Sequence, residues 1–213
     1  MNRRDRRAWK VARTLDDLGE GVIRWLNGEI TETPSHMGAP AAETIPLIPE
    51  LTVINRGGLI TVNSQRAGSR EDGAWTAWVC GFANDAVIRE LREAVAGTPL
   101  ALYACRQVHH ECEQSGLWCC CPWVDETRFW SDRCPSVADD LHDSWLVTVE
   151  DPEPGRNELL WGNLAWALSS ETRQCWCHAA YGQFMIARHP DGLCRLCANR
   201  PGSCEQVHKE LAS

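Results

Sequence analysis

The sequence predicts an α/β protein: a mixed or partly parallel sheet covered by helices, with a small Cys-rich, metal-binding appendage at the C-terminal end. Three observations predict it. Stretches with apolar residues at helical spacing alternate with short β-branched runs. Strands separated by helices imply a sheet that is covered by them and is at least partly parallel. Five of the twelve cysteines fall within residues 171–213, too short a stretch to build much apolar core of its own.

Thr14 precedes Leu15, Leu18, Val22, Trp25 and Leu26 at helical spacing, Asp16 and Asp17 suit the positive end of the helix, and Asn27-Gly28 stops it. Residues 31–43, rich in Pro, Gly and small side chains, read as a loop that holds His36. A second helix starts near Thr44, with Pro46 and Pro49 near its first turn, and ends at Gly57-Gly58. Leu59–Val62 and Trp75–Cys80 are candidate strands joined by a polar loop from Asn63 to Gly73. Asn84 caps a third helix whose stripe is Val87, Ile88, Leu91 and Val95, and Gly97 and Pro99 follow it. Leu100–Cys105 and Trp145–Val149 are two further strands, and Asn157 is expected to cap a last helix carrying Leu160, Trp161, Leu164 and Leu168. The expected organisation is a core over residues 1–170 and a zinc-ribbon-like tail over 171–213.

The segments TLDDLGEGVIRWLNGEI, NRGGLITVNSQ, WVCGFA and VEDPEPGRNELLW, in this order, resemble an uncharacterised domain family of high-GC Gram-positive bacteria and their phages, over roughly residues 8–168. Arg66-Ala67 departs from the family pattern, which tends to place a proline after Ser-Gln. The resemblance implies a shared fold and a phage or actinobacterial source. It implies no activity and no catalytic residue.

Hydrophobic residues make up 44% of the chain and charged ones 23%, which excludes wholesale disorder. The start MNRRDRRAWK is too polar for a secretory signal, and no stretch approaches the ~18 apolar residues of a membrane span. A cytoplasmic protein is expected, where thiols persist as free groups or metal thiolates and not as disulfides. The eleven tryptophans are expected to serve packing. Net charge is −8, yet residues 1–13 carry six basic side chains against one acid, leaving 15 basic against 28 acidic beyond them. A body this acidic repels phosphate backbones. Arg3, Arg4, Arg6 and Arg7 are expected to form a solvated arm.

Candidate chemistry lies in three places. Cys175-x-Cys177, sixteen residues, then Cys194-x-x-Cys197 can deliver four thiolates to a structural zinc ion, with His178 and Cys204 as alternative members. A second, weaker cluster is His109, His110, Cys112, Cys119, Cys120, Cys121 and Cys134, whose spacings match no common knuckle and whose adjacent cysteines cannot all face one ion. Third, Thr61, Asn63, Ser64 and Gln65 follow a buried strand and offer uncharged donors and acceptors, although ordinary turn capping is the favoured reading of them. The leading functional expectation is a metal-stabilised, non-enzymatic interaction module with a protein partner. One alternative is an enzyme acting on a small polar or nucleotide-like substrate near Ser64 and Gln65. The other is a nucleic-acid binder that uses the tail and the basic arm.

Overall fold

Asn2 starts a helix where the sequence reading expects a solvated arm. In the computed structural model, α1 (Arg3–Lys10) is closed at its first turn by the Asn2 side chain, which accepts from the Asp5 N–H. The structure describes residues 1–70, 73–106, 111–112 and 124–169. The chain divides into two units, Met1–Leu168 and Ser169–Ser213; the elements of the first are these.

Helix α2 (Leu15–Leu26) opens with the reciprocal cap that Thr14 and Asp17 predict: the Thr14 hydroxyl accepts from the Asp17 N–H, and the Asp17 carboxylate accepts from the Thr14 N–H. A single 3₁₀ turn, Ile45–Leu47, leads into α3 (Ile48–Arg56), so both prolines sit at the start of their elements. Strand β1 (Ile60–Gln65) is followed by a two-stranded ribbon, β2 (Gly68–Arg70) and β3 (Gly73–Trp75), and then by β4 (Ala77–Ala83). The polar stretch from Asn63 to Gly73, expected to be loop, therefore carries strand pairing. Helix α4 (Asp85–Val95) is capped by Asn84 as expected. After it come β5 (Ala101–Arg106), β6 (Glu111–Cys112), α5 (Val124–Arg133), a 3₁₀ turn at Pro135–Val137 and α6 (Ala138–Asp143). Strand β7 (Trp145–Asp151) and α7 (Glu158–Leu168) complete the unit.

The five-stranded sheet has the order β1-β4-β7-β5-β6, and each of these pairings is antiparallel. This corrects the expectation of a partly parallel sheet. Strands β4 and β5, joined through α4, do run in the same direction, because both lie antiparallel to β7. Strand β7, some forty residues further along the chain, occupies the gap between them. Strand–helix–strand alternation predicts relative direction; it does not predict which later strand enters between the two.

Register shows how the sheet is covered. Ile60, Phe82, Leu146 and Cys105 form one row across four strands, and Thr61, Gly81, Val147 and Ala104 form the next. Adjacent rows point to opposite faces, and all eight residues are buried. Both faces of the sheet are therefore shielded from water. On the Phe82 side, Trp130 of α5 packs edge to face on the Phe82 ring with centroids 5.8 Å apart. Helices α2, α3, α7 and α4 pack in that sequence, each against the next. Every described tryptophan is buried or half-buried, in line with the packing role expected of them.

Strands β1 and β4 approach so closely that a Cβ at Gly81 would sit 2.2 Å from the Ile60 carbonyl oxygen. Backbone cannot yield there without unzipping the pair. Gly81→Ala is therefore expected to lower unfolding free energy by about 1–3 kcal/mol or more, as overpacking in a tight core does. Urea denaturation followed by far-UV circular dichroism measures it, and an unchanged midpoint would refute the register.

Candidate functional site

The basic residues at the start of the chain lie on an ordered helix. On α1, Asp5, Trp9 and Ala12 just beyond it are buried. Arg3, Arg6, Arg7 and Lys10, at positions i, i+3, i+4 and i+7, form a stripe on the opposite side, and Arg4 flanks it. All five cations are exposed. Among the described residues none of their side chains makes an ion pair or hydrogen bond.

The buried side of α1 explains how so charged a segment holds its shape. The Asp5 carboxylate accepts from the Thr31 hydroxyl at 2.6 Å, the Thr31 N–H at 2.8 Å and the Asn2 amide at 2.8 Å. Burial pushes the Asp5 carboxyl upward, but the Thr31 and Asn2 hydrogen bonds outweigh it and hold the group below the ordinary carboxylate value. Trp9 donates from Nε1 to the Glu32 carbonyl at 2.9 Å and meets the Trp130 ring edge to face at 5.5 Å. Its ring lies against Gly21 of α2, where a Cβ would come within 2.6 Å of it. At the far end, Arg13 reaches the Ser136 hydroxyl at 2.6 Å and the carbonyls of Lys10 and Ala12, a normal place for a cation.

These anchors offset an arrangement that is unfavourable by itself. Like charges at i, i+3 and i, i+4 each cost about 0.2–0.5 kcal/mol. Arg3 and Arg4 also stand at the positive end of the helix dipole, where acids are preferred. Residues that break local rules in an otherwise consistent fold are candidates for function.

The polar group Thr61, Asn63, Ser64 and Gln65 belongs to β1 and is not a free loop. Thr61 is buried and spent on structure: its N–H and hydroxyl both meet the side chain of buried Asn55, which also donates to the Leu51 carbonyl. Asn63 turns back to the Ser64 N–H, and Gln65 donates to the Thr76 carbonyl at 3.2 Å. None of the four lines the polar cavity of about 630 Å³ at the ends of β4 and β5. That cavity is bordered by Asp16, Asp85, Arg106, Asp140 and Asp143. The cation among these described residues is taken: Arg106 grips Asp85 with two bonds of 2.8 and 2.9 Å while lying over the Trp145 ring. The Trp145 indole N–H holds Asp85 below its ordinary value, with Arg106 adding to the effect against partial desolvation. The four aspartates are exposed, as on an ordinary solvated face.

The acids that follow β7 could attract a cation, and a guanidinium fills that place. Arg156 donates at 2.6 Å to each oxygen of buried Asp151 and also pairs with Glu153. Asn157 does not cap α7 with its side chain as expected. Its carboxamide instead clamps the backbone of Ala67, accepting from the N–H and donating to the carbonyl.

Of the predicted metal ligands, Cys175, Cys177, His178, Cys194, Cys197 and Cys204 lie outside the described residues, as do His109, His110, Cys119, Cys120 and Cys121. Cys112 contributes its backbone to β6. Cys134 is buried in the core, and desolvation pushes its thiol up to about 12, far from thiolate character at neutral pH. Among the described residues no group of three or more His, Cys, Asp or Glu side chains is arranged to hold a metal.

The family described as Domain of unknown function (DUF6919) matches residues 4–115, just over half of the chain. The chain belongs to the DUF6919 family. No curated protein matches it. The DUF6919 match contains α1 from Arg4 onward and the segments around Thr14, Ser64 and Cys80. It stops before β7, which the DUF6919 sheet in this protein needs between β4 and β5. Among the described residues no helix is long and apolar enough to cross a membrane.

Asp5 gives the site a testable pH signature. A carboxylate whose folded pKa is depressed contributes stability above its unfolded value near 3.8 and loses that contribution as pH falls through the folded value. Asp5→Asn is expected to cost about 1–3 kcal/mol at pH 7, because a buried carboxylate surrounded by donors is replaced by an amide. The gap between wild type and variant should close below about pH 3.8 in thermal melts. A gap independent of pH would show that Asp5 does not anchor α1 as an ion.

Proposed function

We propose that the protein is a cytoplasmic interaction module, stabilised by zinc in its Cys-rich tail, that presents the ordered basic face of α1 to a negatively charged macromolecule. The observation that carries this reading is the exposed stripe of Arg3, Arg6, Arg7 and Lys10 on a helix whose other side is anchored by Asp5 and Trp9. A disordered arm must lose conformational freedom when it binds; side chains on a packed helix lose less, which favours affinity. Charge segregation supports the same reading, since six basic residues among the first thirteen stand against an acidic remainder.

Retention on a heparin support at neutral pH and low salt tests it. A chain of net charge −8 has no reason to be held there unless its positive charge is concentrated. The wild type is expected to bind and Arg3→Glu/Arg7→Glu to flow through. A wild type that flows through contradicts the proposal.

Zinc at Cys175, Cys177, Cys194 and Cys197 is the tail's part of the proposal, with His178 or Cys204 able to replace one thiolate. Two close pairs around a hairpin-length spacer supply a tetrahedral thiolate set, and metal binding is how so short a segment gains stability. Protein purified under reducing conditions is expected to carry about one zinc per chain. Metal-free protein, or these cysteines recovered as disulfides by intact mass, would remove zinc from the account.

A further inference from the structure

We infer that the partner of the α1 face is the sugar-phosphate backbone of a nucleic acid, bound without regard to base sequence. The inference rests on the proposal that this face is the binding surface.

Three features of the helix point to phosphate. First, three of the four stripe cations and the flanking Arg4 are arginines, whose planar fork pairs with phosphate oxygens through two parallel hydrogen bonds. Second, the stripe runs from Arg3 to Lys10, about 10 Å at 1.5 Å per residue. That is close to three phosphates of one strand at their spacing of about 3.4 Å along the axis of a duplex.

Third, the stripe lacks what a protein partner requires. Protein interfaces draw their energy from a desolvated centre of aromatic or apolar anchors. Every position of the stripe is basic, and α1 itself, Arg3–Lys10, exposes no large apolar side chain; Val11, next in the chain, is exposed. Phosphate binding needs no such anchor, because release of condensed counterions drives it.

The acidic remainder of the chain sets the geometry. Residues 14–213 carry 15 basic against 28 acidic side chains, so a bulky acidic protein docking here would bring its own negative surface against them. A narrow polyanion running along α1 meets the cations while keeping most of its charge away from the acidic body.

The test is fluorescence anisotropy of the full-length protein with a labelled mixed-sequence 20-nucleotide single strand and its duplex, between 50 and 200 mM salt. With four or five phosphate contacts the duplex affinity should fall with a log–log slope of about −3.6 to −4.5. Arg3→Gln/Arg7→Gln should make that slope shallower by about 1.8 and weaken binding at 50 mM salt by about tenfold or more. Scrambling the base sequence should change little. Removing like charges should leave the far-UV spectrum and melting temperature of the variant unchanged or improved, which separates loss of binding from loss of fold.

Polyglutamate of matched charge is the control for an acidic protein. If it binds as tightly as the oligonucleotides through the same arginines, the nucleic-acid inference fails while the interaction module stands. If nothing anionic binds, both fail. Oligonucleotide binding that is unaffected by Arg3→Gln/Arg7→Gln overturns the assignment to this face.

Discussion

Phe82, Trp130 and Trp9 form a continuous aromatic column from the middle of the sheet to the first helix, with successive ring centroids 5.8 and 5.5 Å apart. Much of the order around α1 depends on it. Phe82 sits on β4, which pairs on both sides and is buried along nearly its whole length. Trp130 carries that rigid reference outward through α5, and Trp9 transfers it to a segment with almost no apolar content of its own. Edge-to-face ring pairs contribute about 0.5–1.5 kcal/mol beyond their area. Two such contacts are comparable with the repulsion that the arginines of α1 impose on one another.

The opposite sides of α1 thus obey different physics. The side carrying Asp5 and Trp9 satisfies the rules of a folded interior: the indole N–H has a carbonyl, the carboxylate has three donors, and Gly21 leaves room for the ring. The other side violates the preferences of an isolated helix, with cations stacked on cations and arginines at the positive end of the dipole. Stability does not account for such a surface; an anionic partner would turn the same repulsion into attraction. The acidic cavity at the ends of β4 and β5 shows the contrast. There Arg106 already has Asp85 and Trp145 as partners, and the other aspartates are solvated, as surface acids normally are.

Folding also decided which polar groups are structural. Thr61 and Asn157, both plausible from local pattern as site or cap residues, are spent on structure: Thr61 on the Asn55 side chain six positions earlier, and Asn157 on the backbone of Ala67 ninety positions away. Asp151, a conceivable cation ligand, is matched by Arg156 five residues on. In each case the partner became evident only in the folded chain, because a buried polar group must be satisfied and sequence does not say by whom.

What the sequence by itself determined are the features set by near neighbours. The caps at Thr14 and Asn84, the positions of the main strands, and the separation of a basic beginning from an acidic remainder were all legible there. Each rests on interactions within a few residues or on composition alone. Only the tertiary structure decided that β7 enters between β4 and β5 and makes the sheet antiparallel. It also decided that the basic beginning is a helix with one face buried. Eight residues with five like charges are too short and too repulsive to hold a helix alone. The contacts that hold this one come from Thr31, Gly21 and Trp130, at distances along the chain over which local pattern carries no information.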